Sequence, residues 1–515
     1  MKLFEKYKKY FISGALILGI SSFLSRFLGL VRDRLFAEQF GAGRDLDAYY
    51  AAFRIPDFIF NLLILGALSS AFIPIFVDYL SQKKQKEAWH LANSLLNIIL
   101  GITIVICAII FIFAPHLMFL IAPGFSGSEK ELTAQLTRIM LLSPIFFGFS
   151  NIAGAILTSY KRFFFYALAP IMYNLGIIFG AWFLVDPYGI KGIAYGVVIG
   201  AFLHFIVQLP SIYKLGYRYK FIFDYTHKGV QRVVNLMIPS IMGLAMTQIN
   251  LWVITVIASL ISVGSITIFN FASNLQYFPV GVFGISIGLA AFPKLAEAVS
   301  LKKSMLFKNT FSFAFSKIMF FVIPISVFML LMRAQIVRLV LGSGKFDWED
   351  TYLTAQSLGL FTLSLFAQAL IPLLVRSFYS MQDAKTPVFI SIVSMITNIA
   401  GGLILSKYFG VLGLALAFSF AALINMLLLF VVLRYRLGDL GDSEIIKSIL
   451  KTSFLTIISG IVCYCLLIIM ANFVDMETFI GILLQASVAF VGGAGVFILL
   501  AWVFKFRELG IVKSN

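Results

Sequence analysis

Long apolar segments alternate with short polar loops along nearly the whole chain. Each segment covers about 20 residues or more, the length that an α-helix needs to cross a hydrocarbon core of roughly 30 Å. The segments begin near Phe11, Ala48, Leu91, Leu132, Phe163, Ile190, Val233, Ile266, Phe311, Leu353, Pro387, Val411, Ile449 and Phe479. This pattern predicts an all-α integral membrane protein with about 14 transmembrane helices and both termini on one side.

The composition excludes a water-soluble protein. Hydrophobic residues make up 60% of the 515 residues and charged residues 12%, whereas soluble domains carry about 25% charge. The net charge of +17 raises the alternative of a nucleic-acid binder. However, the basic residues lie mostly in alternate short loops, as in membrane proteins whose cytoplasmic loops face anionic lipids. These loops carry Lys83, Lys84, Lys86, Lys161, Arg162, Lys214, Arg218, Lys220, Lys302, Lys303, Lys308, Arg434 and Arg436. We therefore expect a multi-pass protein with cytoplasmic termini, anionic membrane lipids as partners and no nucleic acid.

An internal repeat divides the predicted helices. The stretch YNLGIIFGAWFLVDPYGIKGIAYG follows the same plan as TNIAGGLILSKYFGVLGLALA, so that Asn174 aligns with Asn398 and Gly189 with Gly410. Because both halves start and end on the same side, we predict two parallel six-helix lobes, followed by two C-terminal helices. The predicted boundaries are 1–222 for the N-lobe, 223–440 for the C-lobe, and 441–515 for helices 13 and 14 with a cytoplasmic tail.

Ionisable residues within the predicted spans concentrate in the first two. A charge at the bilayer centre costs about 2.5–3.5 kcal/mol, so each such residue needs a partner, water or a ligand. The first span, SRFLGLVRD, contains Arg26, Arg32 and Asp33. In the second, polar residues three and four positions apart form one stripe on a helix: Asp47, Tyr50, Arg54, Asp57 and Asn61. Facing a wet cavity, Arg26, Arg32 and Arg54 would match phosphate oxygens.

A second interpretation is that these charges only hold helices together. The pairs would be formed among Arg32, Asp33 and Asp47, and between Arg54 and Asp57. Since this leaves Arg26 without a local acid, a bound anion accounts for more of the pattern. Weaker candidates to line the cavity are Gln248, Asn250 and Asn274, for which interhelical hydrogen bonds are the favoured explanation. The lone His204 is predicted to be packed or hydrogen-bonded.

No enzyme motif is found in the sequence. There is no P-loop, no HExxH, no G-x-S-x-G elbow, and no Cys or His set with metal-ligand spacing. We therefore expect no catalysis, no metal and no cofactor. Without an ATPase motif, uphill movement would draw on an ion gradient, with the ion unknown, on the membrane potential or on consumption of the product.

Several long motifs carry a family resemblance: SRFLGLVRD, FGAGRDLDAYYAAFRIPD, LAPIMYNLGII, YFPVGVFGISIG, IVRLVLGSGKFDWEDTYLTAQSLGL and RSFYSMQDAKTP. From Ser25 to about Gly438 the chain resembles the MurJ (MviN) family of lipid II flippases, within the multidrug/oligosaccharidyl-lipid/polysaccharide exporter superfamily. The resemblance implies flipping of an undecaprenyl-pyrophosphate-linked peptidoglycan precursor to the outer leaflet of the bacterial inner membrane by alternating access. It further implies a lipid-tail groove in the last two helices, and cell-wall synthesis proteins as candidate partners. The substrate-binding residues that it implies are Arg26, Arg32, Asp47 and Arg54.

The likeness is incomplete in the second and eighth spans. Many members carry a basic pair and a downstream Glu where this chain has Phe60, Asn61 and Leu65, and Asn274 replaces a common arginine. The cavity is therefore predicted to be less cationic. A flippase for another polyprenyl-linked glycan, of the O-antigen or teichoic-acid type, is the main alternative. Two further alternatives are a glycan ligase, which would need a large outer loop, and a non-transporting scaffold, which would tolerate loss of Arg26 and Arg32 in the first span.

Overall fold

The computed structural model describes residues 2–65 and 71–509, with side chains from residue 17 onward except at 63–65, 238–240, 242, 243 and 509. The side chain at the predicted first-span start, Phe11, that of Leu65 and the end of the predicted C-terminal tail lie outside the described residues. By their contacts, the residues form two compact units, Met1–Thr267 and Ile268–Asn515. The lobe boundaries at 222 and 440 stay a prediction.

Every regular element in the described part of the chain is helical. The helices up to the end of the first unit are α1 (Lys2–Phe40), α2 (Arg44–Ile59), α3 (Ile73–Ser81), α4 (Gln85–Ile121), α5 (Gly127–Met140), α6 (Leu142–Ser159), α7 (Phe163–Phe179), α8 (Val185–Tyr188), α9 (Lys191–Ile206), α10 (Leu209–Lys214) and α11 (Lys228–Ser259). The remaining helices are α12 (Ser265–Pro279), α13 (Ser286–Ser300), α14 (Ser304–Leu331), α15 (Arg333–Val340), α16 (Trp348–Thr362), α17 (Leu365–Ser380), α18 (Lys385–Phe409), α19 (Val411–Leu437), α20 (Asp442–Ala471), α21 (Phe479–Val503) and a 3₁₀ turn, Arg507–Leu509.

The predicted spans are confirmed. Within the described residues, 10 helices, or up to 11 if a bent pair is one span, are long and apolar enough to cross a membrane. With α1, α2–α3 and α11, the fold has about 14 spans. The predicted starts at Phe163, Val411 and Phe479 coincide with those of α7, α19 and α21. Most of the other helices begin earlier, as α20 does at Asp442 rather than Ile449, because a helix continues into the headgroup region while hydropathy marks only its apolar part.

Four of the predicted spans are interrupted in the structure. Short π-helical segments occupy Phe60–Leu65, Gly180–Leu184 and Val280–Ile285. The last of these directly follows Pro279, which lacks the N–H that an α-helix needs at that position. Between α16 and α17 the chain bends by 48°. Hydropathy alone could not locate these breaks, since the apolar pattern runs through all of them.

Serine hydroxyls bind the backbone at the bend between α16 and α17. Ser419 on α19 donates to the carbonyl of Leu360 at 2.9 Å, and Ser364 donates to that of Phe361 at 3.2 Å. The two hydroxyls also lie 3.0 Å apart. The Phe361 carbonyl also accepts from the backbone N–H of Ser364 at 3.1 Å, so the hydroxyl of Ser419 is the one that satisfies a further carbonyl, that of Leu360. This matters because backbone carbonyls at membrane depth have no water to bind.

The aligned repeat glycines have the same backbone conformation. Gly189 ends α8 with φ 58° and ψ −142°, and Gly410 ends α18 with φ 57° and ψ −135°. This region of conformational space is open almost only to glycine. Three residues later, a Cβ at Gly192 or at Gly413 would collide with the carbonyl eight residues earlier. The two halves of the repeat therefore build this turn in the same way, as the alignment predicted.

A predicted cytoplasmic loop, residues 217–227, is bound to α4 by two asparagines. The side-chain oxygen of Asn93 accepts from the backbone N–H of Lys220 at 2.9 Å. The amide of Asn97 donates to the carbonyls of Lys220 and Ile222, at 3.1 and 2.9 Å. The loop is therefore an ordered part of the first unit, which its basic composition did not indicate.

Asp224 fastens the end of the same loop. Its carboxylate accepts from the Thr226 hydroxyl at 2.7 Å and lies 2.9 Å from Nε2 of His90 on α4. These hydrogen bonds, that from Thr226 foremost, lower the pKa of Asp224 to about 2.

Candidate substrate-binding site

α1 positions the two predicted first-span arginines. On α7, Asn174 donates to the Ser25 hydroxyl at 3.1 Å, which fixes the two helices together beside the half-buried Arg26. Arg32 donates from Nε and Nη2 to one oxygen of Asp33, at 3.0 and 2.8 Å, and Asp33 is buried. The predicted pairing of Arg32 with Asp33 is thus present, and it holds the guanidinium in one orientation.

Asp47 is bound to the beginning of α12. It is buried, and its carboxylate accepts from the backbone N–H of Gly264 at 2.7 Å and from the N–H and hydroxyl of Thr267 at 2.8 and 2.7 Å. A carboxylate is favourable here, because the first N–H groups of a helix have no partner within the helix. Among the described residues Asp47 forms no salt bridge, so the predicted pairing of Asp47 with Arg32 is absent.

The polar stripe of the second span lies on α2 and the π-helical turn that follows it. Tyr50, Arg54 and Asp57 are half-buried. Arg54 donates from Nε to the hydroxyl of Thr255 on α11 at 2.8 Å, and Asn61 donates to the carbonyl of Asp57 at 2.9 Å. Within the described part of the chain Asp57 forms no salt bridge, although Arg54 and Asp57 attract each other electrostatically. The role of Arg54 with Asp57 as a pair between helices stays a prediction.

α11 brings the other weak candidates of the first unit to the same helices. Gln248 and Asn250 are both half-buried, and Gln248 lies one heptad before the buried Thr255 and hence on the same face. Trp252 donates to the carbonyl of Leu120 at 2.9 Å, which fixes α11 against α4. Sequence reasoning missed Thr255, because a single threonine in an apolar span is ordinary; its spacing from Gln248 was the available signal.

The second unit contains Asn274, which is half-buried on α12. Two residues later the buried Gln276 donates to Gln368 on α17, and Gln368 donates to the Ser364 hydroxyl at 2.8 Å. The bond from Gln276 to Gln368 joins two helices, whereas the bond from Gln368 to Ser364 joins residues one turn apart at the start of α17. In the first unit, the Ser150 hydroxyl lies 2.5 Å from Nδ1 of His204, which confirms the predicted hydrogen bond of that histidine.

The first unit thus collects three half-buried arginines on its first two helices. Arg32 is oriented by an acid, Arg54 by a hydroxyl, and Arg26 stands beside the contact of α1 with α7. Guanidinium groups in an apolar setting are suited to binding phosphate oxygens, with which they form paired hydrogen bonds.

The fold defines the class of protein. An inward-facing multidrug resistance transporter of the MATE family, in the MOP superfamily, matches it with a TM-score of 0.69 at 14% identity, covering 81% of this chain and 96% of that one. At this identity the likeness concerns the fold alone. Together with the apolar spans, it defines a multi-pass membrane protein with the fold of MOP-superfamily transporters.

The family is more specific. The model of the family described as lipid II flippase MurJ matches residues 36–484. A "Probable lipid II flippase MurJ" of Buchnera aphidicola subsp. Schizaphis graminum is 32% identical over 418 residues, which is 80% of this chain and 81% of the relative. A solved lipid II flippase MurJ in an inward closed conformation has a TM-score of 0.80 at 28% identity, covering 96% of this chain and 99% of that one. The chain belongs to the lipid II flippase MurJ family, a family of transporters rather than an enzyme class, as the resemblance predicted.

Proposed function

We propose that this protein flips lipid II, the undecaprenyl-pyrophosphate-linked precursor of peptidoglycan, from the inner to the outer leaflet by alternating access. The observation that carries the proposal is the set Arg26, Arg32 and Arg54 in the first two helices of a chain that matches the flippase family along residues 36–484. A pyrophosphate brings the negative charge that three arginines in apolar helices favour.

The arginines act on the pyrophosphate of the substrate. Each guanidinium has five N–H donors, so the contact of Arg32 with Asp33, or of Arg54 with Thr255, orients the group while other N–H donors bind phosphate oxygens. Charge-assisted hydrogen bonds of this kind contribute about 1.5–3 kcal/mol each. Candidate residues for the remaining polar lining in the first unit are Asp33, Asp57, Asn61, Gln248 and Asn250. The contribution of Asn274, in the second unit, stays a prediction.

Asp47 has a different proposed role from the one the resemblance implied. Its three accepted hydrogen bonds occupy both carboxylate oxygens, which favours a structural contact over direct binding of the substrate. Asp47 belongs to the predicted N-lobe, whereas Gly264 and Thr267 belong to the predicted C-lobe. We therefore assign it the role of stabilising one state of the transport cycle.

The proposed setting is the bacterial inner membrane, with both termini in the cytoplasm. The basic loops, among them Lys83–Lys86, support this orientation by the excess of Lys and Arg in cytoplasmic loops. Transport would use no cofactor and would draw on an ion gradient or the membrane potential. Cell-wall synthesis proteins are candidate partners at the cytoplasmic face.

The test is the appearance of lipid II in the outer leaflet of cells depleted of their own flippase. The parent should restore it, and Arg26→Ala, Arg32→Ala and Arg54→Ala should each lower the rate about tenfold to hundredfold, as expected from a loss of about 1.5–3 kcal/mol. Arg44→Ala is the matched control, because it removes an arginine from the same helix, α2. The Arg44 side chain is exposed, and its ion pair with Glu129, at 3.5 Å, is a surface contact. All variants are compared at equal membrane levels.

The outcomes separate the alternatives. If a well-inserted parent restores no lipid II, the flippase acts on another polyprenyl-linked glycan, an alternative that the departures at Asn61 and Asn274 support. If all three arginine variants transport like Arg44→Ala, the assignment of the site is wrong.

A further inference from the structure

A basic cavity lies at one end of the second unit, away from the arginines of α1 and α2. It has a volume of about 380 Å³ and lies between the first turns of α14 and α20 and the segment that follows α21. Lys308, in the first turns of α14, belongs to a loop predicted to be cytoplasmic. The cavity is thus placed on the predicted inner surface of the membrane.

The charge of this cavity is positive. Its charged lining consists of four cations and two acids, Lys447, Lys451, Lys505, Arg507, Glu444 and Glu508. Glu508 accepts a hydrogen bond from the hydroxyl of Ser448 at 2.7 Å. Among the described residues none of the four cations forms a salt bridge. The cations are therefore available to an anionic ligand, for which a phosphate group is well suited.

The outer wall of the cavity continues into an apolar surface along α20. Lys447 and Lys451 are one turn apart, and the same side of the helix then exposes Leu450, Phe454 and Ile457, at 64%, 58% and 61% of their surface. Side chains this apolar and this exposed face acyl chains in a membrane protein. The lysines therefore lie where the hydrocarbon ends and the headgroups begin.

Exposed aromatic residues lie beside the cavity at the end of α21. Trp502 in its last turn is 60% exposed, and Phe504, which lines the cavity, is 53% exposed. Tryptophan is enriched where hydrocarbon meets headgroups. The cavity, the lysines and the aromatic side chains thus all point to the headgroup layer.

We propose that this cavity binds the phosphate group of an anionic phospholipid, with the acyl chains lying along the exposed face of α20. A soluble phosphate compound would satisfy the same cations, but it would not use the apolar surface of Leu450 and Phe454. The site lies wholly in the second unit and does not depend on the proposed transport of lipid II.

The test measures binding of short-chain phosphatidylglycerol to the purified full chain in neutral detergent, by native mass spectrometry. The triple variant Lys447→Gln/Lys451→Gln/Arg507→Gln should bind about tenfold to hundredfold more weakly than the parent, since each Lys or Arg near a membrane surface contributes about 1 kcal/mol to binding anionic lipid. The matched control is Lys83→Gln/Lys84→Gln/Lys86→Gln, which removes the same charge from another basic loop. It should bind like the parent.

Two further ligands identify what is recognised. Short-chain phosphatidylcholine, which has no net charge, should bind weakly and equally to parent and triple variant. Inorganic phosphate should compete with phosphatidylglycerol only at far higher concentration. Equal phosphatidylglycerol affinity of parent and triple variant would overturn the site. Inorganic phosphate that competes as effectively as the lipid would overturn the lipid assignment.

The charge-conserving variant Lys447→Arg/Lys451→Arg should still bind phosphatidylglycerol. If this variant loses binding, the substitutions act through the structure of the cavity rather than through its charge.

Discussion

Replacing Asp47 by alanine should destabilise the contact at the start of α12 more than any other single change on α2. The substitution removes the acceptors of three hydrogen bonds from Gly264 and Thr267, in a place where Asp47 itself is only 3% exposed. A buried donor left without an acceptor costs about 1–3 kcal/mol, so we expect a total loss of about 3–5 kcal/mol after local relaxation. The loss should be seen as a lower free energy of unfolding.

Asparagine at the same position provides a graded comparison. Its one carbonyl oxygen can still accept both bonds from Thr267, but its NH₂ group then faces the N–H of Gly264, so that two donors meet. We expect Asp47→Asn to lose about 1–3 kcal/mol. Thr267→Val removes only the hydroxyl donor and should lose about 1 kcal/mol.

The assay is unfolding in mixed micelles with increasing SDS, followed by circular dichroism, with Arg44→Ala as the control on the same helix. The double variant Asp47→Ala/Thr267→Val should lose less than the sum of the two single losses, because both remove the same hydrogen bond. An Asp47→Ala protein within about 0.5 kcal/mol of the parent, the range of ordinary surface substitutions, would refute this account of the contact. Strict additivity in the double variant would refute the partnership of the two side chains.

Two further predictions concern turns and loops. Gly189→Ala and Gly410→Ala should each lose about 1–3 kcal/mol of stability, because both residues have a conformation almost restricted to glycine. The control Gly495→Ala, in a helix with open space around it, should unfold like the parent or later, and equal losses at all three sites would contradict the explanation. The pKa of Asp224 is lowered to about 2, so its stabilisation of residues 217–227 is present above about pH 4 and is lost as the pH falls through about 2. Pepsin should therefore cut this loop of the parent faster at pH 2 than at pH 4, when each rate is divided by the rate for a free peptide of the same sequence. The Asp224→Ala variant should be cut fast at both pH values. If the normalised rate for the parent is the same at both pH values, Asp224 does not hold the loop.

Much of the fold could be predicted from the sequence, because a membrane helix is recognised from the apolar residues of its own segment. Hydropathy located spans such as that starting at Phe163, and the repeat located Gly189 and Gly410, since each signal depends on neighbouring residues. The polar stripe of α2 followed from spacings of three and four. Breaks were missed, because the π-helical turn at Val280–Ile285 is as apolar as the helix around it.

The candidate site was predicted less completely, because its contacts join residues far apart in the chain. The partners of Asp47 lie 217 and 220 positions away, and Thr255 lies 201 positions from Arg54. No local pattern selects one threonine or one helix start among many. The residue types were therefore predictable, and their pairing was not.

The bend between α16 and α17 also constrains how the family can vary. A straight helix would bond its own carbonyls, and a serine at position 419 would then be replaceable by alanine without loss. In this chain the Leu360 carbonyl relies on the hydroxyl of Ser419. Homologous chains should therefore keep a small hydroxyl residue at this position where they keep the bend, and lose it where the helix is straight. The residue at this position in aligned sequences would then indicate whether the helix is bent, which hydropathy does not.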